Sequence, residues 1–142
     1  MPSGYRQGAD LEREVKRYLE DNGYILVIKS GGSKGKVDVI GLKRGETVLV
    51  QCKRHIITKE GWRLGRGAAA MSPADRMELR RLALVLGAVP LLAVWVKEGN
   101  AAREIGFTEL TSMGPAGNRP WTPDHALSPA HAPALADATG TG

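Results

Sequence analysis

The order of periodic segments along the chain predicts an α/β domain. Helix, three strands, helix and two strands would form one mixed five-stranded sheet with helices packed against it. Stretches with a helical apolar period lie at residues 10–21 and 73–86, and short apolar, β-branched runs lie between and after them. The length, 142 residues, suits a single domain that buries roughly two-thirds of the surface its unfolded chain exposes.

The first helix is read over 10–21, where Leu11, Val15, Tyr18 and Leu19 make one stripe and Asn22-Gly23 supplies the stop. Tyr24–Lys29 (YILVIK) reads as a buried strand, and Ser30–Gly35 (SGGSKG) as a flexible Gly/Ser loop. Lys36–Lys43 and Glu46–Arg54 read as two strands joined by a tight Arg44-Gly45 turn. Residues 55–71 hold three glycines and show no period, so an irregular, mobile loop is expected there. Ser72 caps the second helix with Pro73 at its first position, and Gly87 ends it. Met77, Leu79, Leu82, Ala83 and Leu86 are its expected apolar side. Val89–Lys97 and Glu104–Leu110 complete the strands. Residues 111–142 contain five prolines, four glycines and seven alanines, the composition of a disordered or loosely docked tail. Trp121 and Leu127 are the residues that could dock it.

Cys52 is the single cysteine, so an internal disulfide and a four-cysteine zinc site are excluded. The apolar runs fall short of the ~20 residues that span a bilayer, and the N-terminus lacks a signal-peptide core. No membrane association is expected, and a cytoplasmic location is (the host cytoplasm if a virus encodes the chain). His125 and His131, with Asp124, lack the spacing of a zinc set.

The net charge is +5, but residues 29–66 alone hold ten bases against three acids. A concentrated basic stretch is the footprint of a polyanion such as nucleic acid, although a solvated surface gives the same composition. Lys29, Lys34, Lys36, Arg54, Lys59, Arg63 and Arg66 are its candidate DNA contacts. Trp62, between Lys59 and Arg63, could stack on an exposed base or simply pack.

Glu12, Asp38, Gln51 and Lys53 carry the chemistry. Gln51 and Lys53 alternate onto one face of their strand with Leu49, while Val48, Val50 and Cys52 point away. With a two-residue turn, Lys43 pairs with Glu46, and Asp38 falls opposite Gln51 within ~5.5 Å. A helix packed on that face would add Glu12. Charges in apolar strands need a partner or a metal, and carboxylate, amide and carbonyl oxygens suit Mg²⁺. A structural Asp38–Lys53 ion pair accounts for the same spacing. His55 could aid acid–base chemistry or simply end the strand, and Trp95 reads as core.

Taken in order, these residues resemble the PD-(D/E)xK nuclease superfamily and, more closely, the archaeal-type Holliday junction resolvases of the Hjc family. Tyr5–Glu14, with its Glu12-Arg13-Glu14 motif, is similar to the family's opening segment. Gly31-Gly32-Ser33-Lys34 resembles its Gly/Ser loop, and Lys36-Val37-Asp38-Val39 its metal-binding strand. Val50-Gln51-Cys52-Lys53 stands at the E-x-K place, and Val89–Val94 resembles the fourth strand. The resemblance covers residues 5 to about 110 and implies a restriction-endonuclease-like nuclease domain over 1–110. It implies a homodimer that cuts four-way junction DNA by paired incisions. Mg²⁺ would be the cofactor, with Mn²⁺ as a substitute, and no small-molecule cofactor is expected. Glu12, Asp38, Gln51 and the Cys52 backbone carbonyl would hold metal, and Lys53 would serve the attacking water. Arg13, Lys29 and Ser33 match positions facing DNA.

The family usually has Glu where this chain has Gln51. The Mrr-like branch uses Q-x-K and is catalytic, so Gln51 is compatible with activity, while occupancy by one or two metals stays open. An Mrr-like or other superfamily nuclease is the enzymatic alternative, marked by an added recognition domain. A non-catalytic DNA-binding module on the same fold is the other, and Glu12, Asp38 and Lys53 argue against it.

Overall fold

The computed structural model describes residues 4–30, 37–111 and 118–123. Helix α1 runs from Gly4 to Asp21 and begins six residues before the expected start. The apolar stripe that reveals it starts only at Leu11, so the preceding turns give no periodic signal. Leu11, Val15 and Leu19 are fully buried, as the stripe requires. The helix stops where the Asn22 side-chain amide donates to the Tyr18 carbonyl, at 2.8 Å.

Strands β1 (Leu26–Lys29), β2 (Val39–Lys43) and β3 (Glu46–Thr58) follow. The β2–β3 hairpin has the expected register, Lys43 against Glu46, with Gly45 at φ 79° in a conformation that favours glycine. β3 is 13 residues long and continues past Arg54, where a loop was expected. Helix α2 (Lys59–Arg63) and a 3-10 turn (Arg66–Ala70) then lead to α3 (Pro73–Leu86). The expectation of an irregular loop over 55–71 is therefore corrected. These elements are too short to show a period. Single contacts hold them instead: the Thr58 hydroxyl accepts the Gly61 N–H at 3.0 Å, and buried Arg76 donates to the Ala68 and Met71 carbonyls at 3.0 and 2.6 Å.

Helix α3 has the expected caps, with the Ser72 hydroxyl accepting the Asp75 N–H at 3.1 Å and Gly87 left-handed at φ 66°. Leu79 and Ala83 are its buried apolar residues, but Met77 and Leu86, expected inside, are exposed, and so are Leu84 and Val85. Strands β4 (Val89–Lys97), β5 (Glu104–Glu109) and β6 (Arg119–Trp121) complete one six-stranded sheet in the order β1-β2-β3-β4-β5-β6. Only β3 and β4 are parallel, and α2, the 3-10 turn and α3 make the crossover between them. The sixth strand corrects the five-stranded expectation. Arg-Pro-Trp is too short to alternate, and its one legible signal was Trp121, which is buried edge-on against Phe107 at 5.4 Å.

Two cores result. Leu11, Val15 and Leu19 of α1 cover Val48, Val50, Leu91, Ala93 and Trp95, while Leu79 and Ala83 of α3 and Met71 cover Leu49, Leu92, Val94 and Val96. Residues 31–35 of the Gly/Ser loop and most of the expected tail, with Leu127, His125 and His131, lie outside the described residues. Among those described, no helix is long and apolar enough to cross a membrane.

Candidate active site

Asp38 stands one residue before β2 and is only 8% exposed. It is tied in on three sides. Its N–H donates to the Val50 carbonyl, its carbonyl accepts the Ser30 N–H, and its carboxylate Oδ2 accepts the Cys52 N–H, each at 2.8 Å. The β2–β3 ladder ends at Val39↔Val50, so Asp38 does not continue it opposite Gln51. Val37 and Ile40 belong to the α3-side core and Val39 to the α1-side core, so strict alternation slips by one residue at Asp38. The slip lets a mid-chain carboxylate meet the β3 backbone beside Gln51.

The β3–β4 ladder is also irregular here. It passes from Cys52↔Ala93 to Ile56↔Trp95, so Lys53, Arg54 and His55 stand against Val94 alone. Bulges of this kind re-aim side chains and recur beside active sites. Lys53 acts on Asp38: its ammonium lowers the Asp38 carboxyl, second to the Cys52 N–H, yet burial outweighs both and leaves that carboxyl raised. Glu12 is raised by burial and then by Asp38, with Lys29 pulling it down. Burial, then Asp38, then Glu12 push the Cys52 thiol up. Glu12, Asp38, Cys52, Lys53 and Lys29 thus share one electrostatic neighbourhood.

Two expectations about faces are corrected. Helix α1 packs on the Val48–Val50 side of the sheet, not the Leu49 side, and Cys52 lies on the α1 side near both carboxylates. The apolar stripe of a helix does not say which sheet face it will cover. Gln51 contributes a buried Oε1 with no hydrogen-bond partner. Burying such an acceptor unpaired is costly, and burial together with the neighbouring Asp38 disfavours the charged form of Glu12. Among the described residues no three His, Cys, Asp or Glu are placed to hold a metal. An uncharged oxygen would have to complete the set, and Gln51 Oε1 is one. This donor chemistry fits a hard divalent cation.

The other candidates separate. Lys29 sits by Glu12, at the site itself. Arg13 is exposed and pairs with Asp10 at 3.2 Å. Arg54, Arg63, Arg66 and His55 are exposed and Lys59 is half-buried; Ser33, Lys34 and Lys36 lie outside the described residues. Of the two readings of Trp62, stacking or packing, the structure supplies contacts for packing: its Nε1–H donates to the Phe107 carbonyl at 2.8 Å and its half-buried ring lies against the α3-side core. Sequence reasoning missed Glu14, whose Oε1 accepts the Nε1–H of Trp95 at 3.2 Å, and Arg103, whose guanidinium lies 3.8 Å from the centre of the Trp95 ring. The available signal for Glu14 was its place three residues after Leu11, on the border of the buried stripe.

A mixed sheet flanked by helices, with two carboxylates, a glutamine and a lysine at the point where its ladders break, defines a restriction-endonuclease-like domain. The chain belongs to the archaeal Holliday junction resolvase family, whose model matches residues 3–97. It is 49% identical over 59 residues to the crossover junction endodeoxyribonuclease Hjc of Methanocaldococcus jannaschii. That stretch spans 42% of this chain and 43% of the relative's length.

Proposed function

We propose that this chain is a Mg²⁺-dependent endonuclease that resolves four-way DNA junctions as a homodimer. The observation that carries the reading is the electrostatic coupling of Glu12 to Asp38 and of Asp38 to Lys53 where both ladders of β3 break, with Gln51 Oε1 buried and unpartnered on the same strand. Family membership and a relative named for crossover-junction cleavage support the substrate.

Glu12, Asp38, Gln51 Oε1 and the Cys52 carbonyl are the oxygens that would hold the cation. When bound, Mg²⁺ supplies Lewis-acid polarisation of the phosphodiester. Lys53 donates a hydrogen bond that orients the attacking water in line with the leaving 3′ oxygen, and its charge faces the phosphate as negative charge grows. Lys29, beside Glu12, adds a second cation at the edge of the site. Arg13, Arg54, Lys59, Arg63 and Arg66 hold the DNA backbone, a role shared by Ser33, Lys34 and Lys36.

A four-way junction has near-twofold symmetry, and a dimer presents two equal sites to it. Exposed apolar residues on α3, Leu84 at 84% and Val85 at 72%, support a self-association surface. Leu84 lines a groove of about 390 Å³ together with Met77, Arg80, Pro90 and Leu110.

The test is cleavage of a synthetic four-way junction beside linear duplex and single strand, with Mg²⁺ and with EDTA. Symmetric cuts in the junction that vanish in EDTA are expected. Cutting of duplex as fast as junction, or no cutting, overturns the reading.

A further inference from the structure

Helix α1 meets the sheet through fully buried Leu11, Val15 and Leu19. Apolar contacts resist separation, but they are non-directional and leave small rotations about the helix axis cheap. Glu12 and Glu14 stand on opposite borders of that stripe, because each residue turns the helix by about 100°. Glu12 faces Lys29 and Asp38, and Glu14 reaches Trp95 of β4.

Trp95 is a fixed post. It is 4% exposed, it pairs with Ile56 on one side and Ile105 on the other, and Arg103 covers its ring at 3.8 Å. Its Nε1–H has one direction, and the Glu14 Oε1 accepts it at 3.2 Å. Ala93, two residues before Trp95, pairs with Cys52 of the site. One directional bond on one border of α1 therefore sets the rotation that places Glu12 on the other.

Resting on the nuclease reading above, we propose that Glu14 is a positioning residue: through Trp95 it fixes the setting of α1 on the sheet and so holds Glu12 against Asp38. A carboxylate displaced by about 1 Å can cost up to a hundredfold in rate, so a bond distant from the reacting atoms is enough to matter.

Three variants test this: Glu14→Ala removes the acceptor, Glu14→Gln keeps a carbonyl oxygen in place, and Trp95→Phe removes the donor while keeping a ring. Mg²⁺ affinity is measured by calorimetry without DNA, junction affinity in EDTA, and kcat and KM with Mg²⁺. Glu14→Ala and Trp95→Phe are expected to weaken Mg²⁺ binding several-fold and lower kcat about tenfold, with KM and junction affinity unchanged within about twofold. Glu14→Gln should stay close to wild type, and the Glu14→Ala/Trp95→Phe double variant should be no worse than the poorer single. Wild-type Mg²⁺ affinity and kcat in Glu14→Ala, additive losses in the double, or a Glu14→Gln variant as impaired as Glu14→Ala overturns the positioning role. The Glu14→Ala and Glu14→Gln pair decides the matter alone if Trp95→Phe does not fold. A wild-type chain that neither binds Mg²⁺ nor cuts the junction overturns the parent reading instead.

Discussion

Burial raises the Asp38 carboxyl, and the Cys52 N–H and Lys53 pull it back only in part. A carboxyl whose folded pKa lies above its unfolded value holds its proton longer in the folded state. Between those two pKa values the native state binds more protons, so metal-free stability falls as pH rises through that window and stays lower above it. Asp38→Asn keeps an acceptor for the Cys52 N–H and removes the charge. We expect it to raise Tm in EDTA at neutral pH, to abolish cleavage, and to leave junction binding intact; a melt, a cleavage assay and a binding titration check the three. Gln51→Glu puts a charge at a buried oxygen, one residue before Cys52, whose N–H holds Asp38. It should lower Tm in EDTA, bind Mg²⁺ severalfold more tightly, and remain active. A Mg²⁺ titration of the melting temperature checks it, and a folded but inactive variant would refute the ligand role of Gln51. Glu12, Asp38 and Lys53 were legible in the sequence because charges in or beside apolar runs need a reason. Lys29 beside Glu12 was not, because that proximity arises between a helix and a strand that pair with no common register.

At the scale of elements, the well-read pieces are those with a period or a cap. Helix α3 has the predicted bounds, 73–86, because Ser72, Pro73 and Gly87 each dictate local backbone. Strand β4 matches at 89–97 because its apolar run is continuous. The 55–71 segment was misread because tertiary contacts order it. Gly65 sits at φ 78°, where a Cβ would lie 2.2 Å from the Asn118 carbonyl oxygen, so glycine there marks tight packing and not a loose chain. Trp62 belongs to the same packing. Its replacement by Ala should cost roughly 2–4 kcal/mol of stability, with the ratio of junction to duplex affinity unchanged at matched salt. Urea denaturation and paired binding titrations measure both quantities, and a fall in that ratio would restore Trp62 to the DNA surface.

For the whole molecule, composition placed the end of the body at 110, yet β6 pairs with β5 beyond it and Trp121 packs against Phe107 in the α1-side core. Composition averages over a window and cannot see one aromatic residue that docks. A chain ending at Leu110 should lose about 3 kcal/mol or more, since the Trp121 side chain leaves a filled site. Thermal melts of the two lengths give the difference. Self-association is tested on the exposed α3 residues: Leu84→Glu with Val85→Glu should convert a dimer to a monomer by sedimentation and turn paired incisions into single nicks. A wild-type chain that sediments as a monomer at micromolar concentration would remove the dimer from the proposal.

The two edges of the sheet differ in what they offer a neighbour. β6 has three residues with Pro120 at the centre, which brings no N–H to a further strand. β1 ends the other side with Leu26 and Ile28 exposed, and Ile25 exposed beside them. Among the described residues the sheet is therefore monovalent as a polymer unit, with one edge able to add a strand and one that terminates growth. Two copies joining β1 to β1 would close on themselves, and no third could extend the sheet.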